Sequence, residues 1–186
     1  MRTFILIGMP GSGKTTLGKL LAERTGATFI DTDQRIEARV GQSLEAYKQC
    51  NGYQALRDRE REILRELHTN LCPDMNSPAG SAFVVSTGGS AVYARKEMEA
   101  LASLGIVFYL RIRIETLQCR IGSGSDRGLA MPENSDLSAL YAEREPLYTA
   151  VADHIFDNDQ NASERNGTKP GEELELVVDR LISLLH

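Results

Sequence analysis

One octapeptide near the start of the chain, residues 8–15 (GMPGSGKT), combines residue types and spacing that suit phosphate chemistry. The pattern G-x-x-x-x-G-K-[ST] is that of a phosphate-binding P-loop. Its glycines let the backbone curl so that several N–H groups point at phosphate oxygens, and a following helix N-terminus adds partial positive charge. Lys14 would neutralise the β- and γ-phosphates of a nucleotide, and the Thr15 hydroxyl would bind Mg²⁺. The residues expected to bind the nucleotide here are Gly11, Ser12, Gly13, Lys14, Thr15 and Thr16.

The sequence on either side of the octapeptide supports this interpretation. An apolar run at residues 3–7 predicts a buried strand just before it, and residues 16–24 predict a helix just after it. This strand–loop–helix order is the context that the motif requires. A glycine-rich turn that merely happens to contain lysine and threonine is disfavoured, because it does not account for both flanking elements.

Two carboxylates, Asp31 and Asp33, lie at the end of the second predicted strand, residues 27–31. Ligands of open parallel sheets bind beyond the carboxyl ends of the strands. Two carboxylates at such a position suit Mg²⁺ and the hydroxyl of a phosphate acceptor. Either residue would equally well cap the next helix, and the sequence leaves both interpretations open.

Arg57 and Glu60 lie in a charged stretch that is predicted to be helical from residue 53 to residue 69. Arginine suits bidentate contact with a carboxylate or a phosphate. A solvated, charged helix face explains the same residues, so this stretch by itself does not decide between the two interpretations.

Two further segments contain glycines or an arginine suited to a ligand. Gly88 and Gly89 follow a third apolar run and would let a ligand approach the backbone closely, although a plain turn is an equally good interpretation. Residues 122–135 are rich in Gly, Ser, Asp and Pro and are expected to be mobile. Arg127 within them would close over the transferring phosphate and exclude water.

Apolar β-type runs alternate with helical patterns along the rest of the chain, which predicts a parallel sheet covered by helices on both faces. Gly26, Gly41 and Gly105 are expected to end helices. Further strands are predicted at residues 82–86, 106–110 and 154–157. Further helices are predicted at residues 33–40, 44–50, 95–103, 116–120, 137–151 and 172–185. Polar loops are expected at residues 71–80 and 158–171, and no function is assigned to either.

The composition narrows the classes of partner. A length of 186 residues is enough for one globular domain, residues 1–186, with its own core. The apolar share of 41% and the charged share of 25% are typical of such a domain. The net charge of −5 disfavours non-specific binding to nucleic acid.

No apolar run reaches the about 20 residues of a membrane span, and the chain enters its first strand with no signal peptide, so a cytoplasmic location is expected. The cysteines, which form no C-x-x-C or metal pattern and are expected to be reduced thiols, are Cys50, Cys72 and Cys119.

Taken together, these residues resemble the shikimate kinase family from Met1 to about Asp157. The resemblance implies an α/β, three-layer P-loop kinase fold: a five-stranded parallel sheet flanked by helices, with an acceptor-binding region at about 32–70 and a mobile lid at about 122–135. It also implies a monomer with a small-molecule substrate. The matching pieces, in order, are residues 8–15, Asp31-Thr32-Asp33, Ile36-Glu37, Arg57, Glu60, Thr87-Gly88-Gly89, Arg127, residues 144–148 and Ala152-Asp153.

The activity implied by the resemblance is transfer of the γ-phosphate of ATP to the 3-hydroxyl of shikimate, in the synthesis of aromatic amino-acid precursors. Lys14, Asp33 and Arg127 would be catalytic, with Asp33 binding the acceptor hydroxyl and taking its proton. Thr15 and Asp31 would hold Mg²⁺. The remaining implied roles are substrate-carboxylate binding by Arg57 and Arg144, backbone contacts to the substrate from Gly88 and Gly89, and adenine packing by Arg120.

Four residues depart from the family pattern: Tyr53 replaces Glu, Leu56 replaces Phe, Ser90 replaces Gly, and Gly128 replaces the lid Pro. They cluster around the acceptor pocket and the lid, whereas the nucleotide half is intact. Two alternatives therefore remain. One is a kinase of the same fold for another hydroxy acid or sugar acid, such as gluconate, and the other is a nucleotide-binding regulator without catalysis. A nucleoside-monophosphate kinase is less favoured, because the paired arginines and Thr87-Gly88-Gly89 are placed as in the shikimate kinase family.

Overall fold

Strands and helices alternate along the residues that the computed structural model describes, which are 3–72, 82–121, 130, 136–158 and 170–183. The strands are β1 (Thr3–Ile7), β2 (Thr28–Asp31), β3 (Phe83–Ser86), β4 (Gly105–Arg111) and β5 (His154–Asp157). The helices are α1 (Lys14–Thr25), α2 (Thr32–Val40), α3 (Leu44–Leu71), α4 (Arg95–Ala102), α5 (Ile114–Ile121), α6 (Leu137–Val151) and α7 (Pro170–Ser183), with a short 3₁₀ helix at Ala91–Tyr93.

The five strands form one parallel sheet, as the alternation predicted. Their order in the sheet is β2-β3-β1-β4-β5. Strand β1 lies at its centre, where Ile5 is in register with Val85 of β3 and with Val107 of β4. Because all strands are parallel, their carboxyl ends meet at one edge of the sheet. The loop of residues 8–15, the end of β2 and the turn after β3 are therefore neighbours at this edge.

The two faces of β1 show why the sheet is covered on both sides. Phe4 and Leu6 pack in an apolar cluster with residues of α1 and α7, whereas Ile5 and Ile7 pack in a second cluster with residues of α3, α4 and α6. Successive side chains of a strand point to opposite faces, so an uninterrupted apolar run needs an apolar partner on each face. All five residues of β1 are buried accordingly.

The predicted helix ends were confirmed at Gly26 and Gly41, which have φ of 68° and 71° and close α1 and α2 with a backbone hydrogen bond. The prediction for Gly105 was wrong, because this residue begins β4 instead of ending a helix. A β-carbon at Gly105 would overlap the carbonyl oxygen of Thr3 on the neighbouring strand, so close strand packing explains the glycine.

The two helices predicted at 44–50 and 53–69 are parts of α3, which is interrupted at Gly52, where φ is 82° and ψ is 163°. The last helix begins at Pro170, two residues before the prediction, in line with the preference of proline for the first turn. The expected lid at about 122–135 lies outside the described residues except for Ala130, and so do most of the two expected polar loops. None of the described helices is both long and apolar enough to cross a membrane.

Candidate active site

The loop of residues 8–15 joins β1 to α1, as the octapeptide predicted. Gly13 precedes α1 with φ of 97°, a left-handed conformation that favours glycine. The Lys14 ammonium donates hydrogen bonds to the carbonyl oxygens of Gly8 and Met9, each at 2.9 Å. Burial lowers the pKa of Lys14 to about 8, although the nearby carboxylates, Asp33 first among them, act in the opposite direction. Lys14 is therefore a buried cation at the carboxyl end of β1.

Two side chains from distant parts of the chain hold carbonyl groups of this loop. Arg120 of α5 donates from Nη1 to the carbonyl oxygen of Gly11 at 3.3 Å, so the structure brings this predicted residue to the loop. Asn158, directly after β5, donates from Nδ2 to the carbonyl oxygen of Ser12 at 2.6 Å. Asn158 was not singled out from the sequence, because it belongs to no motif and its position depends on the sheet order.

The two carboxylate oxygens of Asp31, at the end of β2, accept hydrogen bonds from the P-loop and from the start of α2. Its Oδ2 accepts a hydrogen bond from the Thr15 hydroxyl at 2.9 Å. Its Oδ1 accepts from the backbone N–H groups of Asp33 at 3.0 Å and Gln34 at 3.4 Å, and this caps α2. Of the two interpretations left open for Asp31, capping is realised, and the same carboxylate also meets the P-loop threonine.

The carboxylates of Asp33 and Glu60 both lie close to Gly88. A β-carbon at Gly88 would lie 2.5 Å from Asp33 Oδ1 and would overlap Glu60 Oε1, so the position has room only for glycine. Burial raises the pKa of Asp33 to about 6, while Lys14 acts to lower it. Burial raises the pKa of Glu60 to about 7, and the neighbouring Asp33 contributes in the same direction. The result is a buried carboxyl group, Glu60, and a half-buried one, Asp33, near the buried Lys14 cation.

Glu60 is a functional candidate that the sequence analysis marked only as a neighbour of Arg57. It is 2% exposed, and its Oε2 accepts a short hydrogen bond from the Ser90 hydroxyl. Its Oε1 accepts no hydrogen bond from any described residue. The sequence does contain a signal for it, since Glu60 interrupts the apolar stripe of α3 between Leu56 and Ile63.

Arg57 of α3 and Arg144 of α6 converge on a single oxygen atom. Arg57 donates from Nε at 3.3 Å and from Nη2 at 3.0 Å to the carbonyl oxygen of Ala130, and Arg144 donates from Nη2 to the same oxygen at 3.0 Å. Arg144 is only 1% exposed. The solvated-helix interpretation therefore does not hold for Arg57. Two guanidinium groups, which only donate hydrogen bonds, meet where an anionic oxygen would be most favourable.

Tyr93, in the 3₁₀ helix, lies against both of these arginines. The Arg57 guanidinium carbon is 3.8 Å from the centre of the Tyr93 ring, and that of Arg144 is 5.2 Å from it. The Tyr93 hydroxyl accepts a hydrogen bond from Arg144 Nε at 3.3 Å. No motif or spacing in the sequence indicates this residue, which is brought to the arginines only by the turn after β3.

Gly88 and Gly89 were expected to contact the substrate through their backbone groups, and one such group of each residue forms a hydrogen bond within the protein. The Gly88 N–H donates to the Thr32 hydroxyl at 2.8 Å, and the Gly89 carbonyl accepts from the buried Tyr148 hydroxyl at 2.6 Å. Ser90, where the family pattern has glycine, has φ of −96° and ψ of 0°, a turn conformation with negative φ that does not require glycine. The turn therefore tolerates serine and gains its hydroxyl contact with Glu60.

Two adjoining pockets share Pro10 and Asp33. The larger, about 440 Å³, surrounds the P-loop and is lined by Pro10, Gly11, Gly13, Lys14, Thr15, Thr16, Asp33, Ser86, Thr87 and Arg120. The smaller, about 30 Å³, is lined by Pro10, Asp33, Ile36, Leu44, Leu56, Glu60, Gly88, Gly89, Ser90, Ala130 and Arg144. Of the residues expected at the site, the structure brings all together except Arg127, which lies outside the described residues.

A parallel sheet with a P-loop after its central strand, and an adjoining pocket lined by arginine and carboxylate side chains, defines a P-loop kinase of small molecules. The family model of shikimate kinase matches residues 10–184. The chain therefore belongs to the shikimate kinase family, whose members are ATP-dependent phosphotransferases with an alcohol group as acceptor.

Individual relatives agree with this assignment. The chain is 35% identical to a shikimate kinase of Chromobacterium violaceum over 98% of this chain and 89% of that protein. It is 32% identical to shikimate kinase 1 of Pectobacterium atrosepticum, covering 99% and 96% of the two chains. Among solved structures, the shikimate kinase of Acinetobacter baumannii in complex with shikimate superposes with a TM-score of 0.77 at 30% identity, covering 98% and 94% of the two chains.

Proposed function

We propose that this enzyme transfers the γ-phosphate of ATP to the 3-hydroxyl of shikimate. The observation that carries the proposal is the position of Asp33, which lines both the pocket around the P-loop lysine and the pocket lined by Arg144. The membership in the shikimate kinase family and the likeness to a shikimate complex support the choice of acceptor.

On the nucleotide side, the backbone of residues 11–16 and the Lys14 ammonium would bind the phosphates, and Arg120 beside Gly11 would pack against the adenine. Thr15 and Asp31 would hold Mg²⁺. Their two oxygen atoms, 2.9 Å apart at the edge of the phosphate pocket, fit a hard cation that takes only one or two protein ligands. When bound, Mg²⁺ neutralises charge on the β- and γ-phosphates.

On the acceptor side, Arg57 and Arg144 would bind the carboxylate of shikimate in place of the Ala130 carbonyl. A carboxylate carries a full negative charge, so it would gain more from two guanidinium groups than a neutral carbonyl does. With the carboxylate at that end of the pocket, the ring hydroxyls would face Gly89, Glu60 and Asp33.

The proton of the reacting hydroxyl would pass to Asp33. The acceptor oxygen forms a bond to the γ-phosphorus, the bond from that phosphorus to the bridging oxygen of ADP breaks, and Asp33 takes the hydroxyl proton. A pKa near 6 leaves Asp33 ionised at neutral pH and more basic than an ordinary carboxylate. Because phosphoryl transfer depends mainly on positioning and charge stabilisation, the lid residue Arg127 would add a further positive charge to the transferring group.

We also propose that the enzyme acts in the cytoplasm, as a monomer, without a nucleic-acid or membrane partner. The cysteines at positions 50, 72 and 119 are exposed and form no disulfide, which supports a reducing compartment. The net charge of −5 supports the absence of a nucleic-acid partner.

The first experiment is coupled ADP release with ATP and Mg²⁺, measured with shikimate, with gluconate, with nucleoside monophosphates and without acceptor. We expect strong stimulation by shikimate alone. Stimulation by gluconate instead would mean a different acceptor for the same site. ATP binding without turnover on any acceptor would contradict the proposal and would favour a nucleotide-binding regulator.

Replacing Arg57 with alanine is expected to raise the KM for shikimate by about 10- to 100-fold with little change in the KM for ATP, because a charged hydrogen-bonding partner of the carboxylate is lost. Arg61→Ala is the matched control, since Arg61 lies one turn further along α3 and pairs with Asp58 at the surface. An unchanged KM for shikimate in the Arg57 variant would exclude its role in carboxylate binding.

A further inference from the structure

The Tyr93 ring is shared by the two arginines that meet at the Ala130 carbonyl. Its centre is 3.8 Å from the guanidinium carbon of Arg57 and 5.2 Å from that of Arg144. Tyr53 also lies over Arg57, at 5.1 Å, but no contact of its ring with Arg144 is recorded among the described residues. Tyr93 is thus the residue that links the two cations.

Bringing two guanidinium groups to one oxygen atom is electrostatically costly, because like charges repel more strongly as water is excluded. The face of an aromatic ring carries negative charge density that attracts a cation within about 6 Å. A single ring in contact with both arginines therefore offsets part of this repulsion, and a neutral side chain without a π-system would not. Leu56, which lines the same pocket, offers neither arginine such a surface.

The Tyr93 hydroxyl orients the guanidinium group of Arg144. It accepts the hydrogen bond of Nε at 3.3 Å, while Nη2 of the same group points at the Ala130 oxygen. A guanidinium is planar, so a partner on Nε fixes the plane in which the Nη donors lie. Arg144 is 1% exposed, and this buried cation also interacts with the Tyr148 hydroxyl and with the charge of Glu60. Of these neighbours, Tyr93 is the one that also contacts Arg57.

We propose that Tyr93 is the positioning residue that holds Arg57 and Arg144 together as one carboxylate-binding pair and thereby sets the preference of the enzyme for acceptors that carry a carboxylate. The proposal rests on the proposed function of the same pocket. It differs from that function in assigning acceptor preference to a side chain that acts through the arginines and takes no part in phosphate transfer.

The test compares shikimate with its methyl ester, which keeps the hydroxyls but lacks the negative charge. The KM and kcat of the full-length enzyme are measured for ATP and both acceptors, and the Kd of each acceptor is measured by calorimetry. Tyr93→Leu and Tyr93→Met both remove the ring, so the result does not depend on one variant folding. Tyr93→Phe keeps the ring, and Tyr53→Leu removes a ring that contacts Arg57 alone.

We expect Tyr93→Leu and Tyr93→Met to weaken shikimate binding by about tenfold, to leave ester binding and the KM for ATP nearly unchanged, and so to reduce the discrimination between the two acceptors. Tyr93→Phe should recover most of the lost affinity, and Tyr53→Leu should have the smaller effect. An equal loss for acid and ester would mean a merely structural role and would overturn the proposal, as would unchanged shikimate binding. If the wild-type enzyme itself does not use shikimate, the proposed function fails first, and this outcome is distinct from a failure at Tyr93.

Discussion

Asp33→Asn is expected to lower kcat by about 10²- to 10⁴-fold, the usual contribution of a general base, while the KM values for ATP and shikimate change little. The carboxamide has nearly the same shape as the carboxylate and fits the same space beside Gly88. It cannot take the hydroxyl proton. Turnover measured at saturating ATP and shikimate checks this expectation.

The pH dependence of the same reaction gives an independent test. Burial raises the pKa of Asp33 to about 6, and the carboxylate must be ionised to accept a proton. The kcat/KM for shikimate should therefore fall as the pH decreases through about 6, well above the range of an ordinary carboxyl group. In Asp33→Asn this decrease should disappear from the residual activity.

Glu60 provides the control for this assignment, because its pKa is also raised, to about 7, and it lies beside Asp33. Glu60→Gln removes that titration and retains Asp33. If the acid-side decrease persists in Asp33→Asn and is lost in Glu60→Gln, the base is not Asp33. Equal turnover of Asp33→Asn and the wild-type enzyme would exclude Asp33 from catalysis altogether.

Lys14→Ala is expected to abolish detectable turnover, with a loss of at least about 10³-fold in kcat. Two effects act together. The variant loses the cation that would stabilise charge on the transferring phosphate. It also loses the positive charge that lowers the pKa values of Asp33 and Glu60, so that both carboxyl groups are more readily protonated. ADP release and nucleotide binding by calorimetry, measured on the same preparations, separate loss of chemistry from loss of affinity.

Lys19→Ala is the matched control, since Lys19 is an exposed lysine of the same helix, α1. It should retain wild-type turnover. Full activity of Lys14→Ala would remove the P-loop from the mechanism, and reduced activity of both variants would indicate damage to α1 instead of a specific role of the buried lysine.

Features set by neighbouring residues could be predicted from the sequence. The octapeptide, the strand before it and the helix after it all lie within 25 residues, and the structure has them in the expected order. The helix ends at Gly26 and Gly41 depend on a local left-handed conformation, which glycine adopts easily. The prediction for Gly105 was wrong because its close neighbour, Thr3, belongs to another strand, and no local pattern indicates that contact.

The acceptor pocket depends more on contacts between distant residues. Both arginines were expected from the family resemblance, but only the packing of α3 against the rest of the fold decides that Arg57 and Arg144 reach one oxygen. The burial of Glu60 beside Asp33 and the contact of Tyr93 with both cations were not predicted.

By itself, then, the sequence determined the class of this protein, a P-loop phosphotransferase on a parallel sheet, and named most residues of its site. The tertiary structure decided which charges face one another and which are removed from water. The physical reason is that backbone conformation and side-chain periodicity are governed by residues close in the chain, whereas the pKa values of Lys14, Asp33 and Glu60 depend on burial and on partners from other elements. Acceptor preference belongs to this second group of properties.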